Sequence, residues 1–379
     1  MTRLLVTAWR DTLHPDSGGS ERYVERIAMG LAERGYEVSV LCPKHPNART
    51  DETIDGVRYI RRGGVFSVYV WAALTVLTMR PDLVVDVQNG MPFLTRLVTR
   101  CPVIVLVHHL HRLQWSSYFG PVFGRIGWWL ESWLAPRVYR KCRYVTVSEH
   151  TRTELVELGI DDERIVVVPN GLDPAPVTIA RRDPQPVLVA VSRLVPHKQL
   201  EHAIEAVARL AERWPTLRLE ILGRGPWQDP LLAYAAERGV ADRVTVHGWV
   251  DEQRKHEILA RSWVHLCPSV KEGWGIVVME AGAHGVPTVA YRAAGGVGES
   301  VLDRRTGMLA DDLNEFVAAT ELLLCCERLR TAMGVESREH VATFEWKHSV
   351  ESFDEVVRAV LPQRDGDAEP APRPATAQR

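Results

Sequence analysis

The chain has 379 residues, 46% hydrophobic and 25% charged, with a formal net charge of −2. That length suits two domains, each burying a full core, and the composition is that of a globular protein, not a disordered or fibrous one. The balanced charge and a pI near 6.7 exclude a global attraction for nucleic acid, so any anion binding must come from local groups.

The N-terminal "MTRLLVTAWRD" is a short apolar run that reaches Asp11 without a cleavage-like site, so it reads as a first β-strand and not as a secretion signal. Strand-like runs then recur at "EVSVLCP", "DLVVDVQ", "VIVLVHH", "YVTVS" and "IVVVPN", separated by helical stretches such as 20–34 and 151–158. The apolar stretch 65–79 spans 15 residues, short of the roughly 20 that cross a bilayer, and is expected to be a buried helix. A second alternation follows in "VLVAVSRL", "LRLEILG", "RVTVHGW", "VHLCPS" and "PTVAYR", with helices near 200–214, 229–239, 252–261 and 277–285. Strands alternating with helices predict an α/β protein of two doubly wound, Rossmann-like domains with parallel sheets. The proline-rich, aperiodic stretch between them sets an N-terminal domain at 1–173, a linker at 174–186 and a C-terminal domain at 187–343. Residues 362–379, rich in proline, alanine and charge, are expected to be disordered. The six cysteines form no CxxC pair and read as reduced thiols of a cytosolic protein, with metal binding the lesser alternative.

Doubly wound sheets bind ligands at the carboxyl ends of their strands, so the cleft between two such domains is the expected site. After the first strand, Gly18 and Gly19 let backbone approach a ligand and Ser20 is placed to cap the next helix, although an ordinary turn fits the same letters. After the fourth comes "VHHLH", with His108, His109 and His111. The register lacks an HExxH glutamate or an adjacent cysteine, which disfavours a metal. His108 is the first choice for a polarising group facing the cleft, with a structural histidine the alternative.

In the second half, Arg193 and Lys198 lie five apart between a strand and a helix, where two cations and a helix N-terminus favour a phosphate. A solvated surface pair is the plainer alternative. Gly223 and Gly225 follow the next strand, and Gly248 and Trp249 end another; each is a turn by itself, or a place for backbone and indole to meet a nucleobase. Glu272 precedes the turn Gly273-Trp274-Gly275, which opens a helix near Ile276, and Glu280 lies one turn inside that helix. Helix N–H groups suit a phosphate and the flanking carboxylates suit donated hydroxyls, a pattern that fits a nucleotide sugar better than a general acid and base.

Taken together, Glu272…Glu280, "SRLVPHK" (192–198), "GRGP" (223–226), "HGWV" (247–250), "PNGLD" (169–173) and "SGGSERY" (17–23) resemble the retaining glycosyltransferases of family 4, which have the GT-B fold. The resemblance runs in order over roughly residues 1 to 361, and its ending, "FEWKHSVESFDEVVRAVL" (344–361), is similar to the family's closing helix, which crosses back onto the first domain. It implies that Glu280 holds the donor ribose, Glu272 binds the transferred sugar, and Arg193 and Lys198 neutralise the diphosphate, aided by the backbone of Gly273 to Ile276. Gly248 and Trp249 would then lie beside the base, Gly18 and Gly19 on the floor near the acceptor, and His108 near the sugar. The loop with Gly295, Gly296 and Glu299 would lie beside the donor. Two positions depart from the family pattern: Trp274 where phenylalanine is commoner, and Gln199 where glycine often follows the lysine.

The resemblance further implies retention of anomeric configuration and no metal or other cofactor. The expected donor is a nucleotide sugar, a UDP-sugar ahead of a GDP-sugar, and the acceptor a glycan, lipid-linked or small-molecule hydroxyl. A non-catalytic sugar-nucleotide-binding protein or a GT-B-like epimerase is the alternative. Nucleic acid is not an expected partner. Residues 112–143 hold four tryptophans, six basic residues and one acidic residue, which reads either as a peripheral membrane element on the cytoplasmic side or as a helix packed on the first sheet.

Overall fold

The computed structural model describes residues 1–176 and 180–362, without the side chains of residues 113, 114 and 116–119. The expected disordered tail lies outside the described residues from 363 onward, as do residues 177–179 of the linker.

The first unit alternates strongly. Its strands are β1 (Arg3–Thr7), β2 (Glu37–Cys42), β3 (Asp51–Ile54), β4 (Val57–Arg61), β5 (Leu83–Gln88), β6 (Val103–Val107), β7 (Arg143–Thr146) and β8 (Ile165–Val167). Between them run helices α1 (Gly19–Glu33), α2 (Val68–Met79), α3 (Arg112–Trp129), α4 (Ala135–Val138) and α5 (Glu149–Glu157). The eight strands form one sheet in the order β3-β4-β2-β1-β5-β6-β7-β8, parallel except for the β3–β4 hairpin. That hairpin is absent from the sequence reading, although Asp55-Gly56 turns it with φ of 49° and 80°, the Asp-Gly signature of a two-residue hairpin loop.

The second unit has β9 (Val187–Val191), β10 (Arg218–Leu222), β11 (Val244–Val246), β12 (Val264–Cys267), β13 (Thr288–Tyr291) and β14 (Gly307–Ala310). Helices α6 (Leu200–Leu210), α7 (Gln228–Glu237), α8 (Glu252–Arg261), α9 (Ile276–Ala283) and α10 (Val297–Ser300) connect them, and α11 (Leu313–Cys325), α12 (Glu327–Val341) and α13 (Trp346–Val360) follow. Its sheet, β11-β10-β9-β12-β13-β14, is parallel throughout. The fold is therefore α/β with two Rossmann-like sheets.

Central strands such as β6, Val-Ile-Val-Leu-Val, are buried at every position, as a strand covered on both faces must be. Alternate residues of β1 enter separate cores: Leu4 and Val6 pack with α1 and α13, and Leu5 packs with α2 and β6. Helix α13 joins the first unit, not the second. Its Val350, Phe353 and Val357 lie in the α1 core, Tyr36 donates to Asp354 at 2.8 Å and Ser349 to the Pro169 carbonyl at 2.7 Å.

The expectation of a buried helix over 65–79 does not hold. In α2 only Val68, Ala72 and Val76 turn inward, while Val70, Trp71, Leu74 and Leu77 are exposed by 40% or more. A run that is apolar all round carries no periodicity to mark its outer face. Among the described residues no helix is long and apolar enough to cross a membrane.

Gly30 is the point where α1 and α13 touch, since a Cβ there would stand 2.5 Å from both Val350 methyls. Gly30→Val should therefore destabilise the first unit by about 1–3 kcal/mol through overpacking. Thermal unfolding followed by circular dichroism would detect this, and an unchanged Tm would contradict the packing.

Candidate functional site

The carboxyl ends of the two sheets abut. A Cβ on Gly273 would lie 2.6 Å from the His108 carbonyl, and one on Gly19 would lie 2.9 Å from the Ile276 side chain. Glycine at these two positions lets strand β6, helix α1 and helix α9 meet across the cleft. The N-cap of α1 is Gly18, whose amide donates to Glu21 Oε2 at 2.8 Å. Ser20, expected to be the cap, instead sits inside the helix and donates to the same oxygen at 2.9 Å.

On the second unit, Lys198 follows β9 and reaches Glu272 after β12: Nζ lies 2.5 Å from Oε1, and Ser269 Oγ donates to that oxygen at 2.7 Å. Burial raises the Glu272 carboxyl, but Lys198 and Ser269 outweigh it and hold it below its ordinary value. Arg193 is exposed on the same loop and forms no ion pair among the described residues. The Gly223 amide donates to the Gly248 carbonyl at 2.8 Å, which brings those two turns together, and Trp249 beside them is 68% exposed.

Gly275, with φ of 90°, is the N-cap of α9. The amides of Gly273, Trp274 and Gly275 have no hydrogen-bond partner among the described residues, so they form an open donor set at a helix N-terminus. The Trp274 side chain turns away, buried against Phe344 at a ring separation of 5.3 Å, and leaves only its backbone at the turn. Ile276 also faces α1 with its side chain. Glu280 is nearly enclosed; Lys255 of α8 holds Oε1 at 2.7 Å, and Oε2 is buried with no partner among the described residues. Burial raises this carboxyl despite Lys255.

The histidines separate into three roles. His108 packs edge-on against Tyr23 at 5.2 Å, and its Nε2 is buried without a partner among the described residues. Burial, with a smaller effect of His111, pushes its pKa down to about 3. His111 Nδ1 is 3.0 Å from Glu131, which also accepts from Trp115 Nε1 at 2.8 Å. Glu131 sits fully buried in a π-helical turn, Leu130–Leu134. His109 Nδ1 would stand 3.6 Å from a Cβ on Gly273, at the junction with the second unit, and its pKa is lowered by burial, then by His111, His108, Lys198 and Lys271.

Ser269 and Lys255 carry no motif signal, and within the VHHLH cluster the sequence favours His108 over His109, whose ring lies nearer the Gly273 turn. Glu299, expected beside the donor, points elsewhere: its carboxylate accepts the amides of Glu149 and His150 at 2.9 and 2.8 Å, capping α5 across the cleft because those N–H groups have no partner within their own helix. Lys271 pairs with Glu154 of the same helix. Among the described residues no group of three or more His, Cys, Asp or Glu side chains is placed to share a metal ion.

Two facing Rossmann-like sheets with this crossing α13 define the GT-B class of glycosyltransferases. Sucrose-phosphate synthase from Thermosynechococcus elongatus superposes with a TM-score of 0.82 at 20% identity, covering 95% of this chain and 99% of that one. The glycosyltransferase WaaG, involved in lipopolysaccharide biosynthesis, does so with a TM-score of 0.76 at 18% identity over 93% and 99%. The chain belongs to glycosyltransferase family 4. Residues 17–176 match the family description "Glycosyltransferase Family 4" and residues 176–340 match "Glycosyl transferases group 1". A GDP-mannose-dependent α-(1-6)-phosphatidylinositol monomannoside mannosyltransferase of Mycolicibacterium smegmatis is 30% identical over 372 residues, 91% of this chain and 94% of the relative. A D-inositol 3-phosphate glycosyltransferase of Nocardia farcinica is 28% identical over 91% of this chain and 86% of its own. The protein is accordingly a glycosyltransferase that draws on a nucleotide-sugar donor.

The depressed histidine gives a pH signature. His108 takes up a proton in the unfolded chain near pH 6.5 but in the folded protein only near 3. Its contribution to stability is thus intact above pH 6.5 and is lost as pH falls below it. Replacing it by His108→Asn should flatten the dependence of unfolding free energy on pH between 6 and 5 by about 1.4 kcal/mol per pH unit. Urea titrations at both pH values would measure this; equal slopes would mean that the imidazole is not buried.

Proposed function

We propose that the protein moves a hexosyl group, with retention and without metal, from a nucleoside diphosphate sugar to a hydroxyl of a lipid-linked acceptor. The observation that carries the reading is the pair of carboxylates flanking an open helix N-terminus. Glu280 has a vacant buried oxygen that suits ribose hydroxyls, Glu272 suits hydroxyls of the transferred sugar, and the amides at 273–275 suit the diphosphate. Trp249, exposed, suits the face of the base, next to the Gly223 and Gly248 turns.

Bond breaking at the anomeric carbon collects negative charge on the diphosphate. Lys198, held by Glu272, and the α9 N-terminus suit that charge, and Arg193 on the same loop is free to reach it; together they would lower the barrier and supply the role a metal would otherwise fill. His108, with a pKa pushed to about 3, is a poor general base; its free Nε2 suits a hydroxyl of the sugar. With no competent base assigned on the acceptor side, the leaving phosphate takes the acceptor proton on the same face, the course that retains configuration. The 30% identical relative is GDP-mannose-dependent by name, which moves the first choice of base from uracil to guanine.

The lipid-linked acceptor is supported by the outer face of the first unit. Helix α3 kinks at Gly120, φ 73°, before Pro121. Beyond the kink Val122, Phe123, Ile126, Trp129 and Trp133 are exposed by 42% or more, and the helix covers the same side of the sheet as α2, which also carries exposed apolar side chains. Trp115 and Trp128 turn inward instead. Stretch 112–143 thus combines both sequence readings, an inner packed side and an outer face suited to a peripheral membrane contact.

Two measurements test this. Lys198→Ala should lower kcat by about 10²- to 10³-fold, and Glu280→Ala should raise the donor KM by about 10- to 100-fold through lost hydrogen bonds to a charged group. GDP-mannose and UDP-glucose would be assayed side by side, with circular dichroism to check folding. Unchanged kinetics in both variants refute the site. Donor binding with no nucleotide release in the presence of acceptor favours a sensor, and conversion of the nucleotide sugar without any acceptor favours an epimerase. Separately, Trp129→Ser with Trp133→Ser should reduce flotation on phosphatidylcholine vesicles, and failure of the native protein to float on any vesicle ends the membrane reading.

A further inference from the structure

The edge of the first sheet opposite the cleft holds a second concave surface. The amino ends of β6 and β7, with Val360 of α13, line an open concavity of about 390 Å³ whose wall carries Arg96, Arg100, Lys141, Arg143 and Arg164 and, among the described residues, no acidic side chain. Strand β6 is five residues long, so the cavity lies roughly 16 Å from the donor end of that strand.

The charge of this wall is largely uncompensated. Arg96 donates to the Thr99 carbonyl at 2.7 Å and Arg143 to the carbonyl of Glu163, so backbone oxygens position both guanidinium groups without neutralising them. Arg100 and Lys141 are exposed and form no ion pair among the described residues. Arg164 alone has a carboxylate, Asp161 at 3.0 Å, and that residue is itself exposed. Of the acids nearby, Asp82 is held by the Arg3 amide at 2.7 Å and Asp86 is buried, accepting from Thr7, Thr95 and Tyr139. The field reaches the cysteines beneath: burial raises the thiols of Cys101 and Cys142, and Arg96 pulls against it at both.

A concave, single-sign wall focuses potential, and guanidinium forks match phosphate oxygens in pairs. We propose that this cavity is a second anion site, separate from the donor cradle, that takes a phosphate monoester or diester. The same chemistry serves a lipid headgroup or a soluble phosphate ester. The site stands independently of the donor assignment and of the tryptophan face of α3.

Arg100→Ala combined with Lys141→Ala removes two cations that make no internal ion pair, so folding and the donor KM should be unchanged. Two arms separate the carriers. In the first, glycerol 3-phosphate is titrated calorimetrically; in the second, flotation is compared on phosphatidylcholine vesicles with and without phosphatidylinositol. A soluble ligand predicts a glycerol 3-phosphate isotherm weakened tenfold or more in the double variant. A headgroup predicts that the extra flotation caused by phosphatidylinositol disappears in the variant, while the Trp129→Ser, Trp133→Ser protein keeps it. Both effects should fade with rising salt. If the double variant matches the native protein in both arms, the proposal is overturned. The charge-reversed pair Arg100→Glu and Lys141→Glu must move the affected arm further in the same direction, and failure to do so also overturns it.

Discussion

The architecture turns on one steric constraint: the peptide at Gly273 lies against the carbonyl of His108 with no room for a β-carbon. That contact sets how near the two sheets stand and therefore what lies between them. Gly19 against Ile276 repeats the same device one element away. Because the meeting surfaces are backbone and glycine, the amides of the 273–275 turn remain uncovered at the junction, and polar atoms of both units face one small volume.

Inside that volume the charges are arranged in pairs that hold one another. Lys198 with Glu272 and Lys255 with Glu280 are nearly enclosed ion pairs, an arrangement whose desolvation cost is tolerable only with good geometry and further hydrogen bonds. Ser269 supplies such a bond at Glu272. At Glu280 one oxygen is left without any. The two glutamates that look alike in sequence thus differ in state: one is held below its ordinary proton affinity, the other above it.

Much of this was legible in the letters. Buried strands announced themselves as β-branched runs, and Gly273-Trp274-Gly275 between two glutamates marked the helix start. What escaped did so for identifiable reasons. The hairpin β3–β4 is short and polar, so only its Asp-Gly turn marked it. Helix α2 is apolar on every side, so its sequence could not say which side is covered. Lys255, Ser269 and His109 act through contacts between segments distant in the chain, and no spacing rule reaches across such distances. Trp274 kept its place in the turn while its ring went into the neighbouring core, because backbone and side chain of one residue answer to different neighbours.

The carboxylate of Glu299 belongs to one lobe and the helix it caps belongs to the other. Any hinge motion that parted the lobes would therefore take the acceptors of the Glu149 and His150 amides away from α5, a loss on the order of 1 kcal/mol. The first turn of α5 thus carries two caps of different origin, Ser148 from its own domain on the Thr151 amide and Glu299 from the other, so that one helix end is shared between two domains only one of which contains it.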